Sequence, residues 1–157
     1  MFVRVEPGDA DSMYMTADEV IDTLVGTTSK NGNFLLDIGP RADGSIPEIM
    51  QQRLRETGAW LKTNGESIYG TTYWSRMAQQ GSLRFTVKPN EAFYITSLAQ
   101  PGSQLVVDAP VPIKDGDRVT LLGHDRPLKW TRSGGKLVVD VPAGVGRHAW
   151  VLKVALS

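Results

Sequence analysis

The chain of 157 residues, 41% apolar and 22% charged, has the composition of a globular protein and room for one ordinary domain or parts of two. Seventeen acidic side chains balance seventeen Lys and Arg, so no overall field favours nucleic acid or an anionic membrane. The absence of cysteine excludes a disulfide framework and thiolate metal sites but leaves the compartment open, and no apolar stretch approaches the length of a membrane span.

The opening residues, Met1 to Pro7, lack the apolar core and small-residue cleavage site of a signal peptide. A secreted or periplasmic location is therefore expected only if such a signal lies upstream. Gly8 to Ser12 is turn-like, and Met13 to Met15 is a short apolar patch leading into a helix. Thr16 with Glu19 forms a capping box, with Asp18 placing negative charge in the first turn. Val20, Ile21, Leu24 and Val25 fall on one face, and Asn31-Gly32 predicts a stop between Ser29 and Gly32.

Phe34 to Ile38 is a short apolar run with one carboxylate, Asp37, and Gly39-Pro40 ends it. Such a run between breakers reads as a buried strand of the parallel-sheet kind. Asp43-Gly44 makes a further turn. Ser45 three residues before Glu48 predicts a second capping box, with Pro47 in the first turn. Ile49, Met50, Leu54, Trp60 and Leu61 recur at helical spacing, and Asn64-Gly65 predicts a left-handed stop. The order is helix, strand, helix, as in a βα barrel. A lone parallel strand has no partner within this chain, and its peptide groups need neighbours elsewhere, because burying them unpaired is costly.

From about Gly81 the period changes to two. Leu83 to Val87 and Ala92 to Leu98 alternate, followed by Leu105 to Val107, interruptions at Pro110 and Pro112, and Arg118 to Leu122. Trp130 closes a short run, Ser133-Gly134-Gly135 is a hairpin signal before Leu137 to Val141, and Trp150, Leu152, Val154 and Leu156 share a face. Six or seven short strands at this spacing predict an antiparallel β-sandwich. The expected division is residues 1–78, the end of an α/β unit, and residues 79–157, an all-β domain.

Four short motifs lie in order within the first part. They are Ser-Lys-Asn-Gly-Asn (29–33), Leu-Leu-Asp-Ile-Gly-Pro (35–40), Ala-Asp-Gly-Ser-Ile-Pro (42–47) and Asn-Gly-Glu-Ser-Ile-Tyr-Gly-Thr (64–71). Together they resemble the segment that ends the catalytic barrel of family 29 glycoside hydrolases, the α-L-fucosidases. Where that family usually has Asn, this chain has Asp37. The resemblance implies the last helix–strand–helix of a (β/α)8 barrel followed by a β-sandwich. It also implies hydrolysis of terminal α-L-fucosyl linkages in glycans with retention, using neither a metal nor an organic cofactor. Retaining glycosidases use two carboxyl groups about 5–5.5 Å apart. In the family both precede the segment matched here, so neither is carried over to this chain.

Asp37 is then the foremost candidate for contact with a site, since the C-terminal ends of barrel strands face it. The plainer reading is a carboxylate that holds residues 39–44 in shape. Glu6 is a second catalytic candidate, placed near where an acid/base loop would end. Asp43 reads as turn chemistry and Glu66 as a local cap or ion pair. Tyr69, Tyr73 and Trp74 cluster at the junction, either packing between layers or, for Tyr73 and Trp74, offering a sugar platform. Trp60, Trp130 and Trp150 read as core, and His124 and His148 as surface or strand-edge residues without metal-ligand spacing.

Two rivals stand beside the enzyme reading. A carbohydrate-binding or scaffold module would carry a line of exposed aromatics on one sandwich face. A fragment that completes its barrel by self-association, or with an upstream barrel segment, would expose an unpaired edge.

Overall fold

The computed structural model describes residues 13–156. Helix α1 (Ala17–Thr28) begins with the expected capping box: Thr16 Oγ1 accepts from Glu19 N at 3.2 Å, and Thr16 N donates to Glu19 Oε2 at 2.7 Å. Two of the orphan amides of the first turn are satisfied in this way. It ends where expected, with Asn31 left-handed at φ 63°.

Residues 33–40 form neither helix nor strand, contrary to the expected buried strand. Leu35 is 75% exposed. The reason lies in the pairing: no strand in the described residues runs beside this segment, so its peptide groups have no ladder to join. The expected helix–strand–helix is thus two helices joined by an irregular connection.

Helix α2 (Glu48–Asn64) also departs from expectation at both ends. Ser45 does not cap it. Asp43 Oδ1 instead accepts from Ser45 N at 2.9 Å and from Ser45 Oγ at 2.7 Å, while Glu48 pairs with Arg55. An Asx turn has outcompeted the capping box, because Asp43 is two residues away and needs no helix to form first. At the other end Gly65 is right-handed (φ −61°), and the chain tightens into a single 3₁₀ turn, Gly65–Ser67. The left-handed residue comes later, at Gly70 (φ 69°). Of the five apolar positions predicted for the α2 face, Trp60 alone is fully buried, and Leu54 is 38% exposed.

From Thr72 onward the chain is antiparallel β-structure, as the period-two pattern predicts. Strands β1 (Thr72–Tyr73), β2 (Gln79–Gln80), β3 (Leu83–Lys88), β4 (Ala92–Ser97), β6 (Val119–Leu121), β7 (Pro127–Leu128) and β10 (Trp150–Ala155) build the larger sheet. Its order is β1-β3-β4-β10-β6-β7, with β2 also on β3. Strands β5 (Gln104–Val107), β8 (Trp130–Ser133) and β9 (Lys136–Asp140) form a second sheet in the order β5-β9-β8. The β8–β9 hairpin turns at Gly134 (φ 57°) and Gly135 (φ 80°), the doubly left-handed turn that matches strand twist.

The larger sheet is covered on both faces. Phe85, Phe93, Ile95, Leu152 and Val154 point towards the smaller sheet and meet Val107, Leu137 and Val139. On the other face Ala92, Tyr94 and Val151 meet Ile21 and Val25 of α1 and Trp60 of α2. Every residue of β4 is therefore buried. The layers run helices, seven-stranded sheet, three-stranded sheet.

Trp74 is part of the sandwich core, edge-on to Phe85 (5.5 Å between centroids) and to Phe93 (4.8 Å). Its neighbour Tyr73 lies on a sheet edge and is 45% exposed. Trp74→Ala is expected to cost about 3–5 kcal/mol in urea denaturation, and Tyr73→Ala no more than about 0.5 kcal/mol. Equal costs would show that Trp74 does not close the core.

Candidate functional site

The expected site residues are dispersed. Asp37 is exposed and its Oδ1 accepts from Ile38 N at 2.9 Å, a bond to its own neighbour and not to residues 39–44. The adjoining loop is held by other means. Arg41 N donates to Ser45 O at 2.8 Å, Gly44 N to Arg41 O at 2.9 Å, and Asp43 takes both donors of Ser45. Those bonds from Ser45 lower the Asp43 pKa, so its carboxylate stays charged and the turn is pre-shaped. Gly44, at φ 83°, is the position where a side chain would strain it. Asp43 thus does the turn chemistry expected of it.

Glu6 lies outside the described residues. Trp74 is enclosed in the core, so its ring offers no face to a sugar, whereas Tyr73 remains open on the first strand. Among the described residues no hydrogen bond or ion pair joins Asp37 to Tyr73. The indole N–H groups of Trp130 and Trp150 are spent on backbone carbonyls, of Asp117 at 2.9 Å and Val145 at 2.6 Å, and both rings pack against the sandwich core. They do not form an exposed aromatic line.

Three polar contacts that tie the helix layer to the sheet were not legible from spacing. Glu66, expected to pair locally, accepts from Lys153 Nζ at 2.7 Å, eighty-seven residues away, and from the Tyr94 hydroxyl at 3.4 Å. Burial beside that carboxylate raises the Tyr94 pKa, so its hydroxyl stays protonated and donates. His148 is left-handed (φ 67°), and its Nδ1 meets Asp18 Oδ1 of α1 at 2.5 Å. Its side chain is only 14% exposed, so the surface position expected for it is a seam between loop and helix. Asp22, beside Arg84, has one carboxylate oxygen buried without a partner. Burial, with the charge of Asp18, raises its pKa against the opposing pull of Arg84.

A cavity of about 370 Å³ opens between the second half of α2 and two loops of the sandwich, bounded by Glu56, Trp60, Asn64, Gly123, His148 and Trp150. Asp37, Tyr73 and Trp74 take no part in it. Among the described residues no group of three or more His, Asp or Glu is arranged to hold a metal ion.

Residues 6–66 match the family described as alpha-L-fucosidase, and residues 78–155 match the alpha-L-fucosidase C-terminal domain. The chain belongs to the α-L-fucosidase family. It is 41% identical over 134 residues to the plasma alpha-L-fucosidase of Rattus norvegicus, covering 82% of this chain and 29% of that protein. Its fold is similar to the crystal structure of the Thermotoga maritima alpha-fucosidase in complex with fucose. The TM-score is 0.82 at 29% identity, over 95% of this chain and 36% of that one. It also resembles a Bacteroides thetaiotaomicron family 29 α-L-fucosidase solved as a trapped covalent intermediate (TM-score 0.78, 25% identity, 91% of this chain and 33% of that one). The chain spans about a third of the length of these relatives, and the match is to their C-terminal portion.

Asp22 does not line the cavity beside α2, and its buried, unpartnered oxygen with a raised pKa marks a structural cost. A carboxyl group whose folded-state pKa is raised opposes folding once the pH exceeds its unfolded-state value, and the penalty vanishes below it. Asp22→Asn is therefore expected to raise Tm at pH 7 and to match the parent near pH 3, read by thermal denaturation at both. A lower Tm at pH 7 would mean that the Asp22–Arg84 attraction outweighs burial.

Proposed function

We propose that this chain is the portion of a retaining α-L-fucosidase that ends the barrel, residues 1–78, and supplies the β-sandwich, residues 79–157. The observation that carries this reading is the segment 33–40. It has the apolar composition of a buried strand, yet stands unpaired with Leu35 three-quarters exposed. A segment of that kind is completed by neighbouring strands, and the family relatives are about three times as long as this chain. An upstream barrel segment is the partner it calls for.

The complete protein would hydrolyse terminal α-L-fucosyl glycosides. One carboxylate attacks the anomeric carbon while a carboxylic acid protonates the departing oxygen, and water then releases fucose from the covalent glycosyl-enzyme with the second group acting as base. Support for that course comes from the covalent intermediate trapped in the Bacteroides relative. The reaction needs no metal and no organic cofactor. Asp37 would stand at the C-terminal end of a barrel strand, next to a loop made rigid by Asp43, and contribute to the wall of the site. Neither Asp37 nor Glu6 is assigned as nucleophile. The binding-module alternative is disfavoured by the inward packing of Trp130 and Trp150.

The test is hydrolysis of an aryl α-L-fucoside by the purified 157-residue chain, with Asp37→Asn and Glu6→Gln alongside. No turnover by any of the three is expected. Robust turnover that either substitution abolishes would mean that the chain builds its own catalytic pair by self-association, overturning this assignment.

A further inference from the structure

We propose that His148 is a proton-operated latch between the loop that precedes β10, residues 142–149, and the two helices. It closes when the imidazole is charged and loosens when the ring is neutral. The loop enters β10 in a backbone conformation that needs holding. Gly144 (φ 73°), Gly146 (φ 86°) and His148 (φ 67°) are all left-handed, and of these three only His148 carries a Cβ. Contact with the helix layer holds it there. His148 Nδ1 meets Asp18 Oδ1, in the first turn of α1, at 2.5 Å, and the side chain is largely enclosed. The next residue, Ala149, gives its carbonyl to the Trp60 indole N–H of α2 at 3.0 Å, and Val145 gives its own to the Trp150 indole N–H. The loop is thus fastened at three points, and one of them is a group that titrates near neutrality.

The helices present negative charge to the ring. Asp18 meets it from α1, and Glu56 shares the cleft with it from α2. A hydrogen bond from Gln52, then Arg53, and then the positive charge of His148 hold the Glu56 pKa down, so the ring and that carboxylate attract each other. Arg147, beside His148 on the cleft wall, is the opposing positive group, while Arg53 is taken up by Glu56 at 3.2 Å. Asp22, one turn along α1 from Asp18, lies beside Arg84. An imidazole changes charge between pH 5 and 8, a window in which ordinary carboxylates stay ionised. A charged ring is drawn to both helices, whereas a neutral one keeps at most a hydrogen bond to Asp18. Proton uptake and closure therefore favour each other, so the latch is closed at the acid end of the window and loosens as the pH rises.

Hydrogen exchange of the indole N–H groups, read by NMR on the ¹⁵N-labelled chain, reports the state of the latch. Trp60 is bonded to the residue after His148, whereas Trp130 is bonded to Asp117 within the sandwich and serves as the reference. His148→Asn keeps a side chain that tolerates the left-handed region and removes the titrating ring. Asp18→Asn removes the carboxylate on α1. In each variant the protection of Trp60 relative to Trp130 is expected to fall about threefold at pH 5.5 and to match the parent at pH 8. An equal loss at both pH values would make His148 a packing residue and overturn the proposal. Protection that matches the parent at pH 5.5 in either variant would overturn it too, as would a loss shared equally by Trp130, which marks destabilisation of the whole fold. The exchange measurement involves no hydrolysis, so its outcome is independent of the fucosidase assay.

Discussion

The structure depends on the pairing of β4 with β10 at the centre of the larger sheet. The register runs from Trp150 opposite Ser97 to Ala155 opposite Ala92, and it deals alternate side chains of both strands into two separate cores. Phe93, Ile95, Leu152 and Val154 go to the sandwich, and Ala92, Tyr94 and Val151 to the helices. Because the side-chain period is two, a slip of one residue would exchange the two sets and put Phe93 and Ile95 against α1 and α2. Apolar burial on both faces therefore pins this register harder than on a sheet with one wet face. Helices and sandwich are joined through it as adjacent layers.

Polar contacts reinforce that joint at its margins. The Trp60 indole reaches the carbonyl of Ala149, at the mouth of β10. Thr86 Oγ1 donates to Ser67 O at 2.8 Å, Lys153 reaches Glu66, and His148 reaches Asp18. Each is a bond between the helical half and the β half. The buried ones matter most, since an indole N–H or hydroxyl left unpartnered there costs about 1–3 kcal/mol. The Glu66–Lys153 and Asp18–His148 pairs, each with one solvent-exposed carboxylate, add orientation more than stability.

One edge of the helix layer is different in kind. Residues 33–40 carry Phe34, Leu36 and Ile38 half-buried, with Leu35 and Asp37 turned outward, and no ladder takes up their peptide groups. The next turn is self-sufficient, because Asp43, Ser45 and Gly44 close it with local bonds. A rigid turn thus lies beside an apolar segment that joins no ladder among the described residues.

The sequence by itself determined whatever rests on interactions between near neighbours. The capping box at Thr16 and Glu19, the stop at Asn31, the glycine hairpin at 134–135 and the alternation of β3, β4 and β10 all appear as read. So does the family, because four motifs in order are a local record. Tertiary structure decided the rest, wherever two local options competed or the partner lay far along the chain. Asp43 took Ser45 from its helix, since a two-residue turn forms without a nucleus. Phe34 to Ile38 stayed out of a sheet, since a strand is defined by a neighbour and the described residues place none beside it. Trp74 and Tyr73, equal as letters, were parted by packing, one into the sandwich core and the other onto a sheet edge. Glu66 with Lys153, His148 with Asp18, and the cleft beside Trp60 and Trp150 join residues more than eighty positions apart, and only the packed layers bring such groups within bonding distance.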